Sequence, residues 1–177
     1  MAAIATSIGF GAAYIHPKTS GVLLSSCNIQ SEERIVRGDS LTGFLEQGIR
    51  VRLLFGYYDC HSVERGDIVA YQYASRKTPL VKIVRGVPGD TFVLQKSDYG
   101  FWRLLINGEV AKTSKGEPYS FNEAQHTILS PYEHDYRGVI PDGAYFIFGN
   151  VPEGSLDSSR FGLAGKRDII AKVIVEK

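Results

Sequence analysis

From Val51 onward, apolar and polar positions alternate in short runs rich in β-branched and aromatic residues, with Gly, Pro, Asn and Asp between them. That pattern predicts strands at Val51–Phe55, Asp67–Tyr73, Leu80–Arg85, Thr91–Gln95, Trp102–Ile106, Ala144–Phe148 and Ile169–Val175, and Arg34-Ile35-Val36 is strand-like as well. Helical spacing is scarce, confined to one turn near Leu41–Gln47 and a weak stretch around Phe121–Thr127. Asn107-Gly108 follows the apolar run Leu104-Leu105-Ile106, and both residues tolerate the positive φ of a tight hairpin turn, so the chain should return through Glu109–Lys112. Thr113–Arg137 is polar and punctuated by Gly116, Pro118 and Pro131, and reads as an irregular insertion covering one face of the sheet. Many short strands joined by tight turns point to a mainly β fold, a barrel or sandwich with little helix.

The 177 residues, 44% of them hydrophobic, suffice for one substantial core. With 20 Lys+Arg against 19 Asp+Glu the chain carries no field suited to a nucleic-acid groove, and no nucleic-acid partner is expected. Cys27 and Cys60 fall in no C-x-x-C pattern, and the spacing is compatible with a pair or with two free thiols. No run reaches the roughly 18 consecutive apolar residues of a spanning helix. The nearest approach, Ala2–Ile15, lacks the basic start of a secretory signal. Residues 1–30 therefore read as an apolar arm, a segment lying on a membrane or on the domain itself, or an anchor remnant, ahead of one domain over 31–177.

His16, His61, His126 and His134 are scattered without ligand spacing, so neither a metal nor any other cofactor is expected, and His134-Asp135 stands without a framework. Gly38-Asp39-Ser40-Leu41 could present the Ser40 hydroxyl at a turn with backbone N–H groups nearby for an oxyanion. The competing reading is an N-cap, with Asp39 or Ser40 holding the first amides of Leu41–Gln47. In a strand over Leu80–Arg85, Lys82 shares a face with Leu80 and Val84, so its ammonium is aimed along an apolar surface. A desolvated, neutral lysine can take a proton from a serine, whereas one that snorkels to solvent at a strand edge does nothing of the kind. A third cluster, Gly149-Asn150 and then Ser155 through Gly162, gathers hydroxyls, an acid and a base after an apolar strand, either around an amine or in a turn closed on itself.

In this order the three segments resemble the type I signal peptidases, membrane-bound serine proteases with a Ser–Lys dyad. The resemblance runs from about Ile35 to Val173. It rests on Gly38-Asp39-Ser40-Leu41-Thr42-Gly43-Phe44-Leu45, Gly66-Asp67-Ile68-Val69, Lys82 through Asp90 with its Pro88-Gly89-Asp90, Asn107-Gly108-Glu109, and Gly149 through Gly162. It implies a signal-peptidase-like β fold with Ser40 as nucleophile and Lys82 as general base. Ser155 would hold the lysine amine and Asp157 would brace that corner, while the Ser40 N–H would supply one oxyanion donor. It further implies removal of signal peptides from secreted preproteins at Ala-x-Ala-like sites, at a membrane and on its extracytoplasmic face. The pockets are expected around Ile35, Val36, Leu80 and Val84.

The sequence departs from the family pattern in ways that carry expectations of their own. Leu41 stands for the usual Met, a tolerated apolar swap. Gly43 stands for a Pro, which should loosen the turn after the serine. Ile83 and Ser159 replace arginines, leaving Asp157 to seek another partner, with Arg160 the nearest cation. Relatives with the same dyad that trim or cyclise pilins, self-cleaving repressors, and an idle homologue that only binds signal peptides are the alternatives.

Overall fold

In the computed structural model, residues 27–151 and 154–176 are described. Eleven strands form two antiparallel sheets. The larger holds β1 (Gln30–Ile35), β2 (Arg50–Phe55), β3 (Ile68–Tyr71), β4 (Leu80–Gly86), β9 (Ala144–Phe148), β10 (Ala164–Gly165) and β11 (Ile169–Val175), in the order β1-β2-β11-β3-β4-β9-β10. The smaller joins β5 (Phe92–Lys96), β6 (Trp102–Ile106) and β7 (Glu109–Val110), with β8 (Ser120–Phe121) also paired to β6. The fold is mainly β, as the alternation predicts.

Period-two patterning explains the layers. In β2, Val51 and Leu53 are buried while Arg50 and Arg52 face solvent. In β9, Tyr145 and Ile147 enter a core with Val69, Tyr71 and Val84, whereas Phe146 and Phe148 enter a second core with Phe92, Leu104 and Leu129. One strand thus serves both sheets. A third core packs Val36, Leu41 and Leu45, which flank Ser40, against Val51, Leu53, Ile83 and Val173.

The expected hairpin is present. Asn107 and Gly108 have φ of 53° and 80°, and Ile106 pairs with Glu109, although the returning strand stops at Val110 and only an isolated bridge joins Lys112 to Pro118. Two expectations about helices need correction. Residues 113–137 are not an irregular insertion: they contain β8 and α1 (Glu123–Asp135), thirteen residues long, so the helix expected around Phe121–Thr127 is present and runs eight residues further. Asn122 Oδ1 accepts from Gln125 N and Gln125 Oε1 accepts from Asn122 N, both at 3.0 Å, a reciprocal cap that starts the helix. Only Gln125 and Leu129 are buried along it, and Pro131 sits inside it, so the apolar spacing that reveals most helices is faint. Conversely, Leu41–Gln47 forms turns and no helix. Leu45 N bonds Leu41 O at 2.8 Å, but Gly43 adopts a φ of 83° and ends any helical path.

Cys27 and Cys60 are disulfide-bonded, with Cα atoms 5.9 Å apart. The expected apolar arm falls almost entirely outside the described residues. Among those described, no helix is long and apolar enough to cross a membrane.

Candidate active site

β4 lies inside the large sheet, paired on one side with β3 and on the other with β9. Its central lysine, Lys82, is only 2% exposed. The turn after β1 brings Ser40 to it, and Lys82 Nζ and Ser40 Oγ are 2.7 Å apart across 42 residues of sequence. Burial lowers the lysine from 10.5 to about 8, against the opposing pull of the Asp157 and Asp39 carboxylates, which favour the charged form. Near neutral pH a useful fraction of this amine is unprotonated. The snorkelling alternative fails, because the amine meets a hydroxyl and not solvent.

The N-cap alternative for Ser40 fails as well. Thr42 N bonds the backbone carbonyl of Asp39 at 2.9 Å, and Gly43 N donates to Glu46 Oε1 at 2.7 Å. The Ser40 carbonyl accepts from Asn150 N at 2.6 Å and from Val151 N at 3.2 Å. Among the described residues the Ser40 N–H donates to no backbone carbonyl. Gly43 does not loosen the turn. Its positive φ is a conformation closed to proline, and the Glu46 side chain braces its amide.

Asn150, 3% exposed, is the stitch that the composition of its cluster did not single out. Its Nδ2 donates to Thr42 O at 2.8 Å, and its Oδ1 accepts from Ser114 N at 2.7 Å. It therefore ties the serine turn to residues 113–116. Gly149, beside it, has to be glycine: a Cβ there would stand 2.7 Å from the Ser40 carbonyl and overlap Ser155 Oγ.

The supporting residues are partly as expected. Asp157 is buried, and its carboxylate accepts from Gly149 N at 2.9 Å, Ser159 N at 3.0 Å and Ser159 Oγ at 2.8 Å. Gln125 Nε2 in turn donates to Ser159 Oγ at 2.9 Å. The partner suggested by sequence, Arg160, is exposed, and no ion pair joins it to Asp157 among the described residues. Ser159, which replaces an arginine, fills that role with neutral hydrogen bonds from the first turn of α2 (Ser158–Phe161), and α1 supplies the glutamine behind it. Ser155 is buried, but its Oγ has no hydrogen-bond partner, so the expected contact with the lysine amine is not made.

A cleft of about 150 Å³ borders the pair, walled by Val36, Leu41, Pro79, Leu80 and Val81. Of the four residues expected around the pockets, Val36 and Leu80 line it. Ile35 lies on edge strand β1, 61% exposed and outside the cleft, and Val84 is fully buried in the core with Val69 and Ile147. The alternation was read correctly, but Val84 is two residues deeper into the sheet than Lys82. Arg37 and Arg76 also line the cleft. His134 and Asp135 form an exposed pair at the end of α1, away from this site.

A serine hydroxyl on a tight turn, held against a desolvated lysine in a mainly β domain, defines the class as hydrolase-like before any relative is considered. Residues 17–176 match the family model described as signal peptidase, peptidase S26. Signal peptidase IB of Staphylococcus aureus (strain COL) is 30% identical over 149 residues, covering 78% of this chain and 73% of that protein. Signal peptidase I of Bacillus caldolyticus is 28% identical over 142 residues, covering 78% and 75%. A crystal structure of a signal peptidase I from Enterococcus faecalis V583 is similar at 25% identity and a TM-score of 0.43, over 66% of this chain and 98% of that one. The chain belongs to the signal peptidase family, peptidase S26, and is a serine peptidase of the signal peptidase I type.

Proposed function

We propose that this chain is an endopeptidase that releases signal peptides from secreted preproteins through an acyl-enzyme, with Ser40 as nucleophile and Lys82 as general base. The observation that carries the reading is the 2.7 Å approach of Ser40 Oγ to an amine that is 2% exposed. In the productive state the Ser40 O–H donates to the neutral Lys82 Nζ. Oγ bonds to the scissile carbonyl carbon as the proton passes to Nζ, and the Ser40 N–H steadies the oxyanion. Lys82 then gives that proton to the departing amine nitrogen as the C–N bond breaks, leaving a Ser40 ester. A water, losing a proton to Lys82, attacks the ester, and the proton returns to Ser40 as the acyl group leaves.

Asp157 supports this chemistry from a distance, by ordering the 149–159 corner and by moderating the drop in the lysine pKa. Ser155 lies buried in the same corner with its Oγ unpaired, which supports it as the hydroxyl that would hold the amine. The narrow apolar cleft favours small side chains of the Ala-x-Ala kind. The Cys27–Cys60 bond supports an oxidising, extracytoplasmic location for the domain over 31–177. The apolar Ala2–Ile15 would be the arm that brings it there.

The test uses purified chain in detergent with an Ala-x-Ala reporter peptide and a preprotein, comparing wild type, Ser40→Ala and Lys82→Ala. Cleavage by wild type alone is expected. Equal cleavage by Lys82→Ala removes the dyad, and signal-peptide binding by all three without any cleavage leaves the idle homologue.

A further inference from the structure

Two arginines line the cleft together with Ser40 and Lys82. The cleft is lined by two stretches of chain, 36–41 and 76–82, and each supplies one of them, Arg37 from the link between β1 and the serine turn and Arg76 from the β3–β4 loop. Both are exposed, and among the described residues neither forms an ion pair. Of the eleven arginines, Arg34, Arg50, Arg52 and Arg65 pair with carboxylates, and Arg37 and Arg76 are the two others that line this cleft. Arg76 is held by its backbone, through N to Tyr73 O at 3.3 Å and O from Gln72 Nε2 at 2.7 Å, so its loop is pinned while its side chain is left uncommitted. Lys77 follows Arg76 in the chain, and within the opposite stretch, 36–41, the one acidic residue is Asp39. The chain as a whole is nearly neutral, at +1, so this concentration of cations is local to the cleft.

We propose that Arg37 and Arg76 form an anion-reading rim, and that the preferred substrates are peptides carrying an Asp or Glu side chain within a few residues of the small side chains at the cleavage point. This rests on the peptidase reading of the same site. The apolar walls accept the small side chains, and a carboxylate flanking them is drawn to guanidinium groups that no protein carboxylate occupies. The rim stays in solvent, so its effect is a modest bias in substrate choice and is screened by salt.

The experiment is a peptide series on the wild-type chain in detergent. One Ala-x-Ala reporter is made with Glu or Gln at each position from five before to five after the scissile bond, and kcat/KM is read for every pair. At one or more positions Glu should exceed Gln by about five- to tenfold at low salt, carried mainly by KM, and the ratio should fall toward one by ~0.5 M salt. In the double variant Arg37→Gln/Arg76→Gln the Glu/Gln ratio should be near one, and in Arg37→Glu/Arg76→Glu it should fall below one, with Lys preferred. Because each variant is judged by its own ratio, a general loss of rate does not mimic the result. Glu and Gln cut equally at every position, or a preference that survives in the double variants, overturns the rim alone. Wild type that cuts none of the peptides removes the peptidase reading, and the rim with it.

Discussion

The two halves of the candidate dyad are held by different physics. Lys82 lies within β4, an inner strand of the sheet, and the sheet and its packing fix its backbone: Val69 stands opposite it in the register, and the next two residues, Ile83 and Val84, are both buried. Ser40 sits on a turn that is exposed at Asp39 and Gly43, and beyond the buried Leu41 and Leu45 its place depends on hydrogen bonds that Asn150 N and Val151 N donate to its carbonyl and on the one that Gly43 N donates to Glu46. The amine is thus costly and immovable, and the hydroxyl is inexpensive to present but easily displaced. Changes on the lysine side should alter chemistry and stability in opposite directions, whereas changes on the serine side should weaken both.

The sharpest separation comes from Lys82→Met, which keeps the apolar stem and removes the amine. Cleavage should fall by about a thousandfold or more, while the folded state gains. A lysine lowered from 10.5 to about 8 disfavours folding of the charged form by about 3 kcal/mol at ~1.4 kcal/mol per pH unit. The sign follows from the depressed folded-state value. Below about pH 8 both states of the wild type are protonated at this site and the full penalty applies. As pH climbs from about 8 toward 10.5 the folded amine is neutral, the penalty fades, and the advantage of the variant should shrink with it. Denaturant melts of the two proteins at pH 7 and at pH 10 measure this, and a variant less stable than wild type at pH 7 would show that the amine is not desolvated.

The same ionisation predicts the activity profile. Only the neutral amine accepts the Ser40 proton, so kcat/KM should rise with pH and level off above about 8. Between pH 8 and pH 6 it should drop by roughly fiftyfold, as the neutral fraction falls from about one half to about one in a hundred. A profile flat across that window would detach Lys82 from the chemistry.

On the serine side, Asn150→Ala leaves Thr42 O and Ser114 N without their partner. We expect a loss of about 1–3 kcal/mol in stability and of ten- to a hundredfold in kcat, with the pH midpoint unchanged because the lysine's surroundings are untouched. A midpoint that moves with this substitution would mean the two halves are not independent. Smallest is Gly43→Pro, which restores the residue usual in the family. The φ of 83° is closed to proline and the bond to Glu46 is lost, so a destabilisation of about 1–3 kcal/mol is expected in thermal melts, not the stiffening that proline gives where φ suits it.

Much of this division was legible in the chain. The strands Trp102–Ile106, Ala144–Phe148 and Ile169–Val175 match the predicted bounds residue for residue: Ile169–Val175 alternates because one face lies on a core, and Ala144–Phe148 is an unbroken apolar run because both of its faces do. The face of Lys82 was legible for the same reason. What escaped was organised by polar contacts, which leave no periodic trace. The helix expected around Phe121–Thr127 runs on to Asp135 from the Asn122–Gln125 cap with little apolar stripe to show its length, and Ser159 with Gln125 satisfies Asp157 where a cation was expected. The role of Asn150 depends on three segments meeting, Thr42, Ser114 and its own strand end, which no single stretch of sequence announces. Val84 was misassigned because a face says nothing about depth along a strand.

The Cys27–Cys60 bond has a mechanical meaning. Between the two cysteines lie β1, the serine turn and β2, and β1 is an edge strand with a neighbour on one side only. Tension on the chain ahead of Cys27 would pass through sulfur to the far end of β2 and bypass β1, so the strand that leads into Ser40 would be shielded from being peeled away.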